Sequence, residues 1–400
     1  MNRDLVCPFC FTSISDIEEC AIVDLTDPDA VHHDPNWSSR VRRALRPKRF
    51  HPSDFGLNAV WRCPNVRCQR PLPRGFEDLR LVSIALTGAP GSSKTHYLTT
   101  LLKEIVRTQA LQDWGIERVL ADPGSRTDKR FDHDMYSPMF RERTTIRRTD
   151  AEVSKRNPED SAHLNPFVLE LSARAGSGAS SCLLLLYDIA GESLSDRGQR
   201  IEFAPYVHQA DGIIYLVDPL GLPEVETWVT DLPDGNGLKQ TLVEEARGQE
   251  NQADILTGLN VELRQNAKSS AARIDTPLAV VLAKADLLVE YFEDVRWMLQ
   301  GSEKPVAPEF FAPLAGGGSI WSGSDVACQQ TVRRILEGTG AHDILAAADA
   351  FDPLFLRSCA AIGTIPRNRE IESLKPWRCL DPLVDVLTAA KVLPVTPSDG

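Results

Sequence analysis

The segment from Gly88 to Thr95 carries residue types that could hold a phosphate group. It reads Gly-Ala-Pro-Gly-Ser-Ser-Lys-Thr and lies between an apolar, strand-like run and a helix-like stretch. In a phosphate-binding P-loop, successive backbone N–H groups surround the phosphates, the lysine neutralises their charge and the next hydroxyl can coordinate Mg²⁺. The sequence therefore predicts a nucleoside triphosphate ligand. The residues predicted to line it are Gly88, Gly91, Ser92, Ser93, Lys94 and Thr95.

Two residues of this segment depart from the P-loop pattern. Ser93 stands where a glycine is expected, so a side chain lies where the backbone should approach the phosphates closely. Pro90 removes one N–H donor from the loop. We therefore expect nucleotide binding to survive, whereas hydrolysis is put in question. The alternative is a turn rich in glycine and serine that precedes a lysine by coincidence.

A second group of reactive side chains precedes this loop. Cys7 and Cys10 form one closely spaced thiol pair, and Cys63 and Cys68 form another, each with a proline inside it. Tight turns of this kind present two thiolates to one tetrahedral Zn²⁺, and four thiolates leave no open position for catalysis. The pairs predict a structural zinc site, although the 52 residues between Cys10 and Cys63 exceed the separation in simple zinc ribbons. The alternative is a set of unpaired cytosolic cysteines.

Composition limits the class of protein. The chain has 400 residues, 42% of them hydrophobic, which is enough for a sizeable core, and it has no apolar stretch as long as a membrane span. The odd number of cysteines and the lack of an export signal favour thiols or a metal site over disulfides, and a cytoplasmic location. The net charge of −12 makes nucleic acid an unexpected partner, although residues 40–49 hold six basic side chains.

The elements that follow the loop would place an acidic residue beside it. Residues 167–171 and 182–187 are strand-like and are joined by a turn-rich segment long enough only for a hairpin, so we expect them to be antiparallel. The second strand ends in Asp188-Ile-Ala-Gly191-Glu192. An acid in this position can hold Mg²⁺, usually through water, and the glycine can bring its N–H to the γ-phosphate. Turn chemistry is the alternative.

Two further apolar runs end in polar residues. Residues 212–217 are closed by Asp218-Pro219, and residues 277–282 are closed by Ala283-Lys284-Ala-Asp286. Apolar strands of this kind suit a parallel sheet buried on both faces, in which ligands bind at the carboxyl ends of the strands. Asp286 can accept two hydrogen bonds from guanine, and the stem of Lys284 can lie over the base and ribose. A solvated charge pair is the alternative.

The order of these motifs resembles the TRAFAC class of GTPases. The cysteine pairs and the segments 187–192, 211–219 and 380–384 are more closely similar to a bacterial TRAFAC clade called the second double-GTPase family. The resemblance covers most of residues 1 to 388. It implies an α/β, P-loop NTPase three-layer fold, with a mostly parallel sheet, one antiparallel strand and a small N-terminal zinc ribbon. It also implies a place in a bacterial signalling or conflict system.

The resemblance assigns roles to individual residues. It implies that Lys94 and Thr95 serve the phosphates and Mg²⁺, that Asp188 serves the metal shell and that Gly191 senses the γ-phosphate. Asp286 would read guanine, and Thr145 is our choice for the switch threonine, with Thr144 and Thr149 close behind. Ser358 to Ala361 resembles the segment that contacts the base, although a buried strand end explains the same residues.

Other positions depart from the family pattern. Ala283 replaces an asparagine, so guanine specificity would rest mainly on Asp286. Glu192 stands where many small GTPases carry a glutamine, and its charge near the γ-phosphate should slow hydrolysis. Slow turnover is therefore expected unless a partner or an arginine of the chain assists. Arg141, Arg143 and their neighbours at 147 and 148 are candidates for that arginine, although a solvated basic loop explains them too.

We expect three parts in the chain. Residues 1–78 form a zinc-ribbon module with a basic insertion, residues 79–390 a GTPase domain with insertions near 222–272 and 301–325, and residues 391–400 a disordered tail. The expected function is a Mg²⁺-dependent GTP switch that hydrolyses slowly and meets a protein effector or activator. The alternatives are a non-hydrolysing nucleotide-binding scaffold, an interaction protein with a degenerate P-loop, and an ATPase.

Overall fold

A computed structural model describes most of the chain. The described residues are 5–27, 29–33, 50–122, 126–146, 165–189, 205–231, 242, 252–266, 273–291, 323–364, 366 and 369–395. Among them, no helix is long and apolar enough to cross a membrane. Gly191, Glu192, Arg147, Arg148 and Thr149 lie outside the described residues, as do the whole basic run at 40–49 and nearly all of 301–325.

Within the described residues, seven strands form the large sheet, and their order places the loop at 89–93 in its middle. The strands are β6 (Arg80–Gly88), β7 (Ile116–Ala121), β8 (Phe167–Ala173), β9 (Cys182–Asp188), β10 (Gly212–Val217), β11 (Leu278–Leu282) and β12 (Leu354–Ser358). Their order is β12-β11-β10-β6-β9-β8-β7. Only β8 runs against the others, because it is antiparallel to both β7 and β9 while the remaining pairs are parallel. The predicted hairpin and the mostly parallel sheet are therefore confirmed.

Helices cover both faces of this sheet. They are α1 (Lys94–Leu102), α2 (Thr127–Lys129), α3 (Pro223–Asp231), α4 (Gln252–Asn266), α5 (Ala285–Tyr291), α6 (Gly323–Gly338), α7 (His342–Ala348) and α8 (Asp381–Ala389). Two π-helical segments, Lys103–Arg107 and Arg130–Arg141, continue α1 and α2. Both α3 and α4 lie in the region predicted as a polar insertion, and α4 buries Ile255, Leu256 and Leu259 in the main core.

Alternate residues of the central strands enter two separate cores. Ile213, Tyr215 and Val217 of β10 pack with α3, α4, α6 and α7, whereas Ile214 and Leu216 pack with α1 and α8. Successive side chains of a strand point to opposite faces, so a strand buried on both sides must be apolar throughout. The result is a helix, sheet and helix arrangement of three layers.

The residues before β6 form a smaller unit. A hairpin joins β1 (Leu5–Val6) to β2 (Ser13–Ile14), and β3 (Ala21–Asp24) lies between β4 (Val31–His33) and β5 (Ala59–Arg62) in an antiparallel sheet. The sheet lies between the two cysteine pairs in the sequence, so it accounts for their wide separation. This unit has its own apolar core, in which Ile22, Leu72 and Phe76 are almost fully buried. Leu183 of β9 belongs to the same core, so the unit packs on the large sheet.

Candidate functional site

The loop between β6 and α1 closes around a lysine ammonium group. The Nζ atom of Lys94 donates to the carbonyl oxygen of Gly88 at 2.8 Å and to that of Ala89 at 2.9 Å. Lys94 begins α1, and Thr95 follows it in the first turn. The lysine is thus held at the N-terminus of a helix, where the peptide dipoles favour a negative ligand.

Three positions in this loop have a positive φ angle. Gly88 has φ +151°, Gly91 has φ +82° and Ser93 has φ +62°. A Cβ atom on Gly88 would lie 3.1 Å from the carbonyl carbon of Leu216 and closer still to its oxygen, so only glycine fits where β6 passes β10. Ser93 adopts a left-handed conformation that costs an L-residue roughly 1–2 kcal/mol relative to the right-handed one. A glycine is thus the residue that the backbone favours at position 93.

Asp188 lies on the strand next to this loop. It ends β9 opposite Leu86 of β6, and the N–H of Ile189 donates to the Leu86 carbonyl at 2.8 Å. The carboxylate is therefore fixed at the carboxyl edge of the sheet, where β6 and β9 both end. Asp188 is half-buried. A carboxylate at this place and a hydroxyl at Thr95 are oxygen donors of the kind that Mg²⁺ prefers.

The segment that contains Thr145 is held against α1. The N–H of Ile146 donates to Nε2 of His96 at 3.3 Å, and His96 is next to Thr95. The N–H of Thr145 donates to the carbonyl of Arg369 at 2.8 Å, which ties the segment to the C-terminal part of the chain. Thr144 forms a bridge with Glu370, so the backbones of both Thr144 and Thr145 contact the same C-terminal segment. Thr149, the third candidate threonine, lies outside the described residues.

The residues predicted to read the base lie on the other side of β6. Lys284 forms an ion pair, and Asp286 lies two residues after it. Lys284 Nζ lies 3.2 Å from Oδ2 of Asp218, whose side chain is fully buried. Asp286 lies in the first turn of α5 and is half-buried. The ammonium group of Lys284 therefore points toward the end of β10, and its stem supplies the part of the side chain that could cover a base.

The loop after β12 contacts this region and α1. The N–H of Ala285 donates to the carbonyl of Cys359 at 3.1 Å, and the hydroxyl of Thr100 in α1 donates to the carbonyl of Ala361 at 3.0 Å. Ser358 is fully buried at the end of β12. The predicted segment from Ser358 to Ala361 is therefore at the same edge of the sheet as the loop at 89–93.

Three buried hydroxyl groups at this edge have no hydrogen-bond partner within the described part of the chain. They belong to Thr87 of β6, to Ser92 in the loop and to Ser358 of β12. A buried polar group without a partner costs about 1–3 kcal/mol, so such groups usually meet water or a ligand. The edge thus offers a lysine, a carboxylate, backbone N–H groups and free hydroxyls, which is a donor set that fits a phosphorylated ligand with Mg²⁺.

The four predicted cysteines come together in the N-terminal unit. Their sulfur atoms all lie within 4.8 Å of one another, with Cys7 4.0 Å from Cys68 and Cys10 3.6 Å from Cys63. Sulfur atoms about 2.3 Å from a tetrahedral zinc ion would be about 3.8 Å apart. All four residues are free thiols rather than disulfides. This four-cysteine cluster fits a divalent metal, and its ligand set is the one that structural zinc prefers.

The electrostatics of the four-cysteine cluster also favour a cation. Hydrogen bonds among the thiols raise the pKa of Cys63, first through Cys68, and the pKa of Cys7, through Cys63 and Cys68. The pKa of Cys68 is lowered, because its sulfur accepts the hydrogen bonds of Cys63 and Cys7. Thiols packed this closely cannot all ionise unless positive charge is added. Zn²⁺ would supply that charge and displace the protons.

Two motif residues have structural roles away from this edge. Asp211 accepts hydrogen bonds from Arg80 at 3.0 Å and from the N–H of Ser83 at 2.9 Å, which ties the start of β10 to β6 at the opposite edge. Asp381 accepts from Arg378 at 2.7 Å and begins α8.

Sequence reasoning missed a residue that fixes Asp218. The side chain of Gln252 accepts from the Asp218 N–H at 2.7 Å and donates to its carbonyl at 2.8 Å. A lone glutamine at the start of α4 gives no sequence signal. Only the buried apolar strand before Asp218 indicated that this position lies at the sheet edge.

Comparison of the sequence with known proteins shows similarity to a distant relative but does not show a family. No protein-family model matches the chain. The chain is 23% identical over 345 residues to the Mycolicibacterium smegmatis protein named "Putative ESX-1 scaffolding and assembly protein SaeC". The matched region covers 84% of this chain and 81% of the relative.

Proposed function

We propose that this protein is a Mg²⁺-dependent GTP-binding switch with a P-loop NTPase fold that hydrolyses its nucleotide slowly. The observation that supports this most strongly is the loop after β6, in which the ammonium group of Lys94 is enclosed by the carbonyls of Gly88 and Ala89. This loop follows the central strand of a mostly parallel sheet, where the chain connects to strands on both sides. Such a switch point is where open α/β sheets bind ligands.

Thr95 and Asp188 are the residues that would hold Mg²⁺. Thr95 is in the first turn of α1, and Asp188 ends the strand that pairs with β6. When bound, Mg²⁺ would supply positive charge that offsets the negative charge of the phosphates during phosphoryl transfer. Lys94 would add a second positive charge to the same phosphates, while the loop N–H groups orient them. Thr145, held beside α1, would complete the switch.

Slow hydrolysis follows from three departures along the site. Ser93 adopts a left-handed conformation that glycine would adopt without strain. Glu192 would place a negative charge where the attacking water should be oriented, and Gly191 beside it would sense the γ-phosphate. Ala283 lacks the amide that would tie the base loop to the phosphate loop. Together these features support long-lived binding rather than rapid turnover.

Guanine is the proposed base because of Asp286. Its carboxylate, in the first turn of α5, can accept two hydrogen bonds from the N1–H and the amino group of guanine. Lys284 and the loop from Ser358 to Ala361 would enclose the base. The four-cysteine cluster would hold a structural zinc ion in the zinc-ribbon module.

The proposal is tested by equilibrium binding of GTP and ATP with and without Mg²⁺. Lys94→Met should abolish measurable binding, since it removes the cation at the centre of the loop. Lys103→Met is the matched control, because Lys103 follows the last turn of α1, away from the loop. Its Nζ atom lies 5.8 Å from the centre of the Phe140 ring. Equal GTP affinity in the native chain and in Lys94→Met would refute the proposal.

A second candidate function is a nucleotide-binding scaffold that does not hydrolyse. It is favoured by the relative from Mycolicibacterium smegmatis, whose name describes scaffolding and assembly. Single-turnover measurements distinguish the two. GTP loss no faster than in buffer, with tight binding, supports the scaffold, whereas slow loss that Lys94→Met abolishes supports the GTPase. If the chain binds no nucleotide, the remaining candidate is an interaction protein that acts through the zinc-ribbon module.

A further inference from the structure

The zinc-ribbon module contacts the strand that carries Asp188. The hydroxyl of Tyr187, next to Asp188, donates to the carbonyl of Pro8 at 2.8 Å in a buried position. The ring of Phe11 lies 6.0 Å from the ring of Tyr187 and 4.6 Å from that of Tyr206. Residues beside the first cysteine pair therefore touch the chain immediately before Asp188 and again at Tyr206.

A second contact leads from the other cysteine pair to a half-buried arginine, Arg130. Arg70, two residues after Cys68, donates through Nη1 to the side-chain oxygen of Asn165. Arg130 donates through Nη1 to the backbone carbonyl of the same Asn165 at 2.9 Å. One residue thus joins the module to Arg130.

Arg130 lies beside the end of β9. Its guanidinium carbon is 4.2 Å from the centre of the Phe167 ring, and Phe167 is paired with Leu186 across the β8 and β9 ladder. Leu186 is two residues before Asp188. The cation is therefore positioned at the carboxyl edge of the sheet, near the proposed Mg²⁺ and γ-phosphate.

The residues around Arg130 indicate which carboxylate pairs with its guanidinium group. Burial lowers the pKa of its guanidinium, and the carboxylates of Asp188 and Asp134 oppose that effect, while Arg70 adds to it. A partly buried cation gains from a negative partner that offsets its lost hydration, and an arginine stays protonated throughout the accessible pH range. Asp188 is the carboxylate that ends β9 two residues after Leu186, the register partner of the Phe167 ring that Arg130 covers.

We propose that Arg130 is a positioning residue that fixes the charge and orientation of Asp188, and that the zinc-ribbon module holds Arg130 in place through Arg70 and Asn165. This inference rests on the proposed function. Its consequence is that the module is part of the Mg²⁺ and γ-phosphate end of the site and is more than a separate docking unit. A desolvated positive charge there should favour a triphosphate over a diphosphate.

The ratio of GTP to GDP affinity in the presence of Mg²⁺ tests the role of Arg130. Arg130→Met keeps an unbranched stem against Phe167 and loses the charge. It should reduce the ratio about tenfold, the effect of one unit charge acting over roughly 10 Å at an effective dielectric near 20. Arg130→Lys keeps the charge and should retain the native ratio within about threefold. Arg118→Met is the matched control, because Arg118 lies on β7 and its side chain is 61% exposed.

The link to the module is tested by Arg70→Met. This variant should lower the same ratio, and the double variant with Arg130→Met should be no worse than Arg130→Met alone, since both act through one contact. Additive losses would overturn the link.

A purely structural role gives a different result. Both Arg130 variants would then lower the urea midpoint and leave the GTP to GDP ratio unchanged, which would overturn the role of Arg130. If the unmodified chain binds neither nucleotide, the proposed function fails and this inference fails with it. If the unmodified chain binds Mg²⁺-GTP and Arg130→Met keeps the native ratio, only this inference fails.

Discussion

Gly88→Ala should destabilise the protein and disrupt the loop after β6. The added Cβ would meet the carbonyl group of Leu216, with the carbon 3.1 Å away, and would lie 3.0 Å from Oγ of Ser92. Leu216 is the register partner of Gly88 in the parallel pair of β6 and β10, so its carbonyl cannot move without distorting a central strand. The φ angle of +151° is a second obstacle, because L-residues rarely adopt it.

The size of the effect combines these two terms. Backbone strain in a glycine-only region costs of order 1–3 kcal/mol, and overpacking costs about 1–3 kcal/mol. The free energy of unfolding should therefore fall by about 2–6 kcal/mol, a large part of the roughly 5–15 kcal/mol typical of domains. Urea unfolding followed by fluorescence measures this change as a lower midpoint at a similar slope.

Gly176→Ala is the matched control for this experiment. Gly176 lies in the turn between β8 and β9 with φ +79°, and an added Cβ would meet nothing within 4 Å. It isolates the strain term, which for a left-handed residue is about 1–2 kcal/mol. If Gly88→Ala lost no more stability than Gly176→Ala, the inference that β10 excludes a side chain at position 88 would be wrong.

Three further predictions concern the loop after β6, the half-buried Glu104 and the metal. Ser93→Gly should raise the free energy of unfolding by about 0.5–1 kcal/mol, because glycine relieves the left-handed strain at φ +62°. The control Ser92→Gly should lower the free energy of unfolding, because φ is not positive at Ser92. Burial, aided by Asp381 and opposed by Lys103, raises the pKa of Glu104 from 4.5 to about 7. The folded state then holds a proton that the unfolded state has lost, so stability should fall as pH rises from about 4.5 to 7, and Glu104→Gln should flatten that slope. A chelator should lower the unfolding temperature of zinc-loaded protein and leave that of Cys7→Ser nearly unchanged, because the four-cysteine cluster is then already broken; an equal effect on both would contradict a structural metal.

Local patterns predicted much of the sheet. The strand before the loop, the β8 and β9 hairpin and the apolar strands β10 and β11 all follow from hydrophobic runs bounded by turn residues. The four-cysteine cluster was also predicted correctly, because close spacing within each pair indicates shared ligation even when 52 residues separate the pairs. The three-stranded sheet between the pairs was not predicted.

Contacts between residues far apart in the chain could not be predicted from the sequence. The pair of Lys284 with Asp218 and the hold of Gln252 on Asp218 depend on how strands and a crossover helix come together. Arg130 has no sequence signal either, whereas Arg141 and Arg143 flank Thr144 and Thr145 and so resemble a catalytic arginine in the sequence. The position of Arg130 depends on the contact of Arg70 with Asn165, two residues that are far apart in sequence.

The choice of base tests the central claim most directly. Mg²⁺-dependent binding of GTP, ATP and xanthosine triphosphate should be measured for the native chain and for Asp286→Asn. The native chain should prefer GTP, and the variant should lose about tenfold or more in GTP affinity, since a charge-assisted hydrogen bond contributes roughly 1.5–3 kcal/mol. The variant should gain affinity for xanthosine triphosphate, whose carbonyl can accept from the new amide. Unchanged GTP affinity in Asp286→Asn, or an equal affinity of the native chain for GTP and ATP, would contradict a guanine-specific switch.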